Sequence, residues 1–239
     1  MAIMIERAEN IAKNFQNGFS QTELLPGTYP GIQNFKCFLN AGTKLNLRAY
    51  ENIERAVMYV FSRGRGYVTT KKGAFNIEEL SFFMPGVEGE TYEIFALEDM
   101  EFLRLEYTMT EKDIERYHAW SIRYPYFQGI STCVEYVQDC KGPNTHSWSV
   151  LHPKECGRII MGVVRAIGEG TTEKGHPAVA QWNYALPGSD FTLTIDGEST
   201  QQKDGDWSFV PAGLDHSLVA EPGKLVHYIW FEHLVNEFQ

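Results

Sequence analysis

The chain has 239 residues, 43% of them hydrophobic, which supplies a core for one large domain or two of ordinary size and excludes a disordered chain. Its 21 Lys and Arg are dispersed among 31 Asp and Glu, for a formal charge of -10. That balance argues against a nucleic-acid partner, whose affinity rests largely on cations that neutralise phosphates. No apolar run reaches the length of a membrane span, and the opening MAIMIERAENIAKNF is too polar for a signal peptide, so the expectation is a cytoplasmic protein with no membrane partner.

In chain order, a first series of strand-like segments runs from Phe35 to Met109: FKCFLN, AVMYVF, GYVTT, LSFFMP, TYEIFAL and EFLRLEYTM, separated by Gly, Asn and charged turns. Within it, Gly64-Arg65-Gly66 sits in a strand-like stretch and does not lead into a helix, so no phosphate loop is indicated. Thr110 to Trp120 is the best helix candidate, with Thr110 as cap and Asp113 in the first turn. The polar stretch Gln138 to Thr145, containing Gly142 and Pro143, reads as a linker. A second series follows in SWSVL, RIIMGVVRAI, WNYAL, DFTLTIDG, DWSFVP and LVHYIWFE. Short strands rich in aromatic and β-branched residues predict an all-β sandwich or barrel. Cys37, Cys133, Cys140 and Cys156 lack pair spacing and read as free thiols.

The two series repeat one another. Gly42 precedes Pro85 by 43 positions and Gly168 precedes Pro211 by the same 43, an offset of 126 between the halves. Tyr59 to Gly64 answers Tyr184 to Gly188 between these landmarks. The expected domains are a barrel over 1–110, a helix and linker over 111–145, and a second barrel over 146–239.

In the second half the landmarks are Gly168, five residues, Lys174-Gly175-His176, four residues, Gln181, six residues and Gly188; then Gly205, five residues, Pro211-Ala212-Gly213, two residues and His216. This resembles the paired cupin motifs, G(X)5HXH(X)3–4E(X)6G and G(X)5PXG(X)2H(X)3N. The resemblance implies two tandem jelly-roll barrels with a short connecting helix, and a homodimer. It covers about 70 residues of each half. Strand alternation would turn 174 and 176 into the barrel, with Gln181 returning from the next strand and His216 re-entering after the Pro-x-Gly turn.

In the family, these inward positions carry three His and one Glu around a divalent metal. Here Lys174 stands for the first His, Gln181 for the Glu and Ala220 for the Asn. The resemblance therefore implies His176, Gln181 and His216 as ligands of a divalent ion (Mn, Zn, Fe or Ni), in a weak site that a water or a substrate carboxylate would complete. Two imidazoles sharing one ion must lie within ~8 Å of each other, since each metal–nitrogen bond is about 2 Å. Lys174 and His176 are the candidate catalytic groups; Lys174, Gln181, His216 and Arg48 are the candidate ligand-binding groups. In the first half the matching positions are Arg48, Tyr50, Glu54 (or Ala56) and Glu90, without a histidine, so a metal is not expected there. Arg48 and Lys174 would each aim a cation inward, and a buried cation needs an anionic partner: Glu54 or Glu90 in the first half, and Asp190, Asp215 or a bound carboxylate in the second.

The aromatics Trp182, Tyr184, Trp207, Phe209 and Trp230 read as packing residues. His146, His152 and Cys156 are assigned no site, and His227 is a strand histidine that either packs or shares the interior face. The function implied is a small-molecule enzyme acting on a polar, carboxylate-bearing metabolite by isomerase, lyase or ureide/amide hydrolase chemistry. The alternative is a non-catalytic ligand-binding cupin, a sensor or accessory protein without metal. Redox oxygenase chemistry ranks lower, because iron sites of that kind want two His and a carboxylate.

Overall fold

The structure is a computed structural model, and it describes residues 3–50, 54–86, 89–119, 124–152 and 158–235. The fold is all-β, as the alternation predicts. By contacts the chain divides into two compact units, one of Ile11–Thr132 and one of Met1–Asn10 with Cys133–Gln239.

The Ile11–Thr132 unit pairs a six-stranded sheet with a four-stranded one. The larger runs Tyr126–Gly129, Ser81–Met84, Arg55–Arg63, Met100–Thr108, Ile32–Leu39 and Phe19–Leu24. The smaller runs Lys44–Arg48, Thr91–Ala96, Gly66–Thr70 and Gly73–Ile77. Both contribute to a core that includes Tyr59, Phe61, Phe83 and Phe102 from the larger sheet and Val68, Tyr92 and Ile94 from the smaller. The helix Glu111–Ala119 starts at the expected cap: the Asp113 amide donates to Thr110 Oγ1 (3.3 Å) and the Thr110 amide to Asp113 Oδ2 (3.0 Å), a reciprocal box that satisfies two otherwise orphaned donors. Trp120 lies outside the described residues.

In the other unit, the seven-stranded sheet runs Met4–Glu6, Trp207–Val210, Val179–Ala185, Leu225–Leu234, Ile159–Ile167, His146–Leu151 and Val134–Glu135. The four-stranded sheet runs Gly170–Glu173, His216–Val219, Asp190–Ile195 and Glu198–Lys203. Phe191, Leu193 and Leu218 of the smaller sheet pack with Val164, Val226 and Tyr228 of the larger. Asp196-Gly197 makes a two-residue hairpin, with φ of 47° and 81°, the turn geometry that suits the right-handed twist of its strands.

The boundaries differ from the expected 1–110, 111–145 and 146–239. Residues 4–6 pair with Trp207–Val210 and so belong with the later unit, anchored by Arg7 on Asp206 (2.8 Å) and by the Ala8 amide on the same carboxylate (2.9 Å). An edge strand leaves backbone groups unpaired, and this segment covers them. The supposed linker is also absorbed. The Thr172 amide donates to the Cys140 carbonyl and the Gly142 amide to that of Gly170, so residues 140–142 run along the strand Gly170–Glu173 as an added edge. Cys37, Cys133 and Cys140 are free thiols; Cys156 lies outside the described residues.

Candidate metal and ligand site

The site lies in the later unit, where three short pieces of chain converge. The strand Gly170–Glu173 alternates, so Thr171 and Glu173 face the interior while Thr172 faces solvent. Its neighbour pairs His216 directly opposite Glu173. The loop after Glu173 carries His176 back over the same point, and Gln181 enters from the buried strand Val179–Ala185.

The distances suit a shared ion. His176 Nε2 lies 3.4 Å from Glu173 Oε2, and His216 Nε2 lies 3.8 Å from the same oxygen. One ligand atom from each of the three residues falls within 4.8 Å of the others, and the imidazole centroids are 5.8 Å apart. Metal bonds of about 2.0–2.2 Å place ligand atoms about 3–4.4 Å from one another, so these side chains need little movement. His216 is the clearest ligand. Its Nδ1 hydrogen-bonds the Leu214 carbonyl (3.2 Å), and since a carbonyl only accepts, the proton sits on Nδ1. That leaves the Nε2 lone pair buried, aimed at Glu173, with no hydrogen-bond partner.

The electrostatics agree. Burial holds His216 below the ordinary imidazole value. Burial works to raise Glu173, but the His176 hydrogen bond and the field of the nearby His216, His176 and Lys141 side chains outweigh it, and the carboxyl is held below its usual range. The same hydrogen bond raises His176 against the effect of its own burial. Gln181 donates through Nε2 to Asn183 Oδ1 (2.8 Å), and its Oε1 is a second buried atom without a partner. Glu232 stands beside Gln181 on the next strand; burial pushes its carboxyl up to about 7, against the pull of His176.

These groups line a cavity of about 580 Å³. Glu173, His176, Gln181 and Glu232 form its polar end, Tyr136 and Lys141 one wall, and Val134, Ile160, Val179 and Trp230 an apolar wall. His152 and Ser149 also reach it. Trp230 lies over Gly162 on the adjacent strand, where an added Cβ would stand 2.4 Å from the indole Cζ2. Only glycine leaves room for that ring.

Of the residues expected from sequence, His176 lies beside His216 and lines one cavity with Gln181. Lys174 does not line it. Its side chain is 92% exposed and pairs with Asp215 (2.9 Å), both lining a separate recess of about 220 Å³ that Glu173 and His216 touch from the other side. Arg48 is likewise exposed, with Nε on the Gly89 carbonyl (3.3 Å). One error of strand phase explains both corrections. In Lys44–Arg48 the half-buried residues packed on the core are Leu45 and Leu47. The offset of 126 carries these to Thr171 and Glu173, and leaves Arg48 and Lys174 facing outward together.

The residues matching the Glu173, His176 and His216 trio in the first unit are thus Leu47, Tyr50 and Glu90. Leu47 packs on the core, Tyr50 donates to Glu106 Oε2 (2.7 Å), and Glu90 accepts from the Gly86 amide (2.8 Å). Glu54 is exposed and Ala56 buried. In the later unit, sequence reasoning also missed Glu232, Lys141, Tyr136, Trp230 and His152. His227 is turned away from the interior, since Val226 and Tyr228 on either side of it are core residues.

No family model matches the sequence, and no curated protein matches it. Solved structures do. The oxalate decarboxylase of Lactobacillus farciminis, solved with formate, superposes with a TM-score of 0.73 at 11% identity, over 99% of this chain and 88% of its own. A cupin 2 conserved barrel domain protein from Leptotrichia buccalis gives 0.65 at 14% identity, covering 99% and 98%. The protein Ylba from E. coli gives 0.76 at 14% identity, covering 98% and 92%. At these identities the likeness establishes the fold: the chain has the cupin fold.

Proposed function

We propose that the chain is a two-barrel cupin whose later unit holds a divalent metal on Glu173, His176 and His216, with Gln181 Oε1 beside them, and acts on a small carboxylate-bearing metabolite. The observation that carries this reading is the buried, partnerless Nε2 of His216 facing a carboxylate and a second imidazole within 4.8 Å. Two histidines and a carboxylate form the ligand class used by Mn, Fe and Zn centres, and they remove the objection that the second barrel lacks an acidic ligand. A metal bound there would supply Lewis-acid polarisation of a substrate oxygen.

The chain's own residues would do the rest. The apolar wall would displace water from one side of a bound molecule. Glu232, facing the same cavity with its carboxyl near 7, can hold a proton or receive one at neutral pH. Proton transfer next to a polarised carboxylate or amide is the common step of isomerase, lyase and amide hydrolase chemistry. Oxalate decarboxylation and the bound formate belong to the Lactobacillus protein, and support here only a carboxylate as ligand class.

The test is metal content of the full chain purified without added metal, then after Mn2+ or Zn2+ loading, by elemental analysis. Near-stoichiometric metal is expected in wild type. Glu173→Gln and His216→Ala should each weaken it by about 100-fold or more, since even outer residues of metal sites contribute 10–100-fold. Wild-type protein that takes up neither ion, or a His216→Ala variant that binds as well, would refute the metal centre.

A further inference from the structure

Lys141 is a cation in an unusual position. It belongs to the added edge beside Gly170–Glu173, is half-buried, and lines the same cavity as Glu173 and His176. Among the described residues, its ammonium contacts the hydroxyl of Tyr136 (3.1 Å) and the ring of Tyr136 (4.2 Å from its centroid). Neither neutralises it. Burial lowers its proton affinity, and the carboxylates that counter this, Glu173 and Glu232, belong to the polar end of the cavity. Tyr136 accepts from Lys141 and is also hydrogen-bonded by Trp230, which can only donate. The phenol oxygen is thus supplied with two donors, and its own proton is left to be given away.

The charge sum follows. A divalent ion contributes +2, Lys141 +1 and Glu173 -1. Even with Glu232 ionised the cavity remains positive, and it is drier than bulk water, so an anion is its natural occupant. A two-carbon acid would use little of the roughly 580 Å³, and would leave Val134, Ile160, Val179 and the face of Trp230 in contact with water.

The geometry points to a carboxylate ligand that carries an apolar or aromatic body: its carboxylate is held by Lys141 and Tyr136, and its body lies against Trp230, Val134, Ile160 and Val179. This rests on the later unit being the ligand barrel and, for the net positive charge, on a bound divalent ion; the anchor Lys141 and the apolar wall are the chain's own. The role that sequence spacing gives to Lys174 passes to a lysine in the supposed linker.

Calorimetric titration of the full chain, metal-free and Mn2+-loaded, tests it with three probes: phenylacetate, acetate and phenylacetamide. Phenylacetate should bind at least tenfold more tightly than acetate, which lacks the body, and than the amide, which lacks the charge. Lys141→Met keeps packing against the Tyr136 ring and should lose tenfold or more for phenylacetate, the loss expected for a charge-assisted hydrogen bond. Lys141→Arg keeps the charge and should retain binding, which separates loss of the anchor from loss of fold. Equal binding by wild type and Lys141→Met, or equal affinity for acetate and phenylacetate, would overturn the inference. Acid binding that persists in protein unable to take up metal would sustain it while removing the metal centre; metal uptake without acid binding would do the reverse.

Discussion

Replacing Gly162 by alanine tests whether the apolar wall is built as described. The new methyl would stand 2.4 Å from Trp230 Cζ2, 2.6 Å from Cε2 and 2.7 Å from the Trp148 carbonyl oxygen. Ordinary contact between such atoms is about 3.5–4.0 Å, so the indole must retreat by about 1 Å or the strands must part. Overpacking of this kind costs about 1–3 kcal/mol. The retreat would also carry the indole away from Tyr136, which it hydrogen-bonds. Urea unfolding of Gly162→Ala should therefore show a loss in that range. Trp230→Phe, which shortens the ring, should recover part of it in the double variant, with a coupling energy of at least about 0.5 kcal/mol in the cycle. Metal uptake should survive, because Glu173, His176 and His216 lie on other segments. A Gly162→Ala protein as stable as wild type, or two losses that simply add, would show that the ring does not press on that glycine.

Two further outcomes follow from residues outside the cavity. Burial, with Arg165 opposite on the neighbouring strand, pushes His227 down to about 4. Its folded form binds the proton more weakly than its unfolded form, so the associated stability is complete above about 6.5 and drains away as pH falls toward 4, by up to about 3 kcal/mol. His227→Gln should flatten that part of the stability curve, and curves that run parallel for the two proteins would refute it. Lys174→Met removes an ion pair at the exposed surface, where solvent screens it, and should change neither melting temperature nor acid affinity. A variant that loses acid binding would restore Lys174 to the pocket.

The sequence by itself was sufficient for what local chemistry dictates. Alternating apolar residues specify the strands, and Thr110 and Asp113 specify the helix start. The spacing of the motif brings His176 beside His216, because Pro211-Ala212-Gly213 turns the chain, and sets Gln181 on the cavity that His176 lines. The strand phase at Glu173 and Lys174 was legible only in part. The run Thr-Thr-Glu-Lys has no apolar alternation of its own, and the indicator lay 126 residues earlier, in Leu45 and Leu47.

The rest was decided by tertiary structure. The stretch Gln138 to Thr145 is polar and contains Gly142 and Pro143, which reads as a linker. Residues 140–142 instead pair along the strand Gly170–Glu173, whose open edge had backbone groups without partners, and this brings Lys141 to the cavity. Residues 4–6 join Trp207–Val210 for the same reason, about two hundred positions away in the chain. Trp230 reads as core from its neighbours and lines a cavity because Gly162 on the adjacent strand gives its ring room. A strand's own pattern shows that its edges need partners and its faces need cover, but which distant segment supplies them depends on where the sheets bring the chain together.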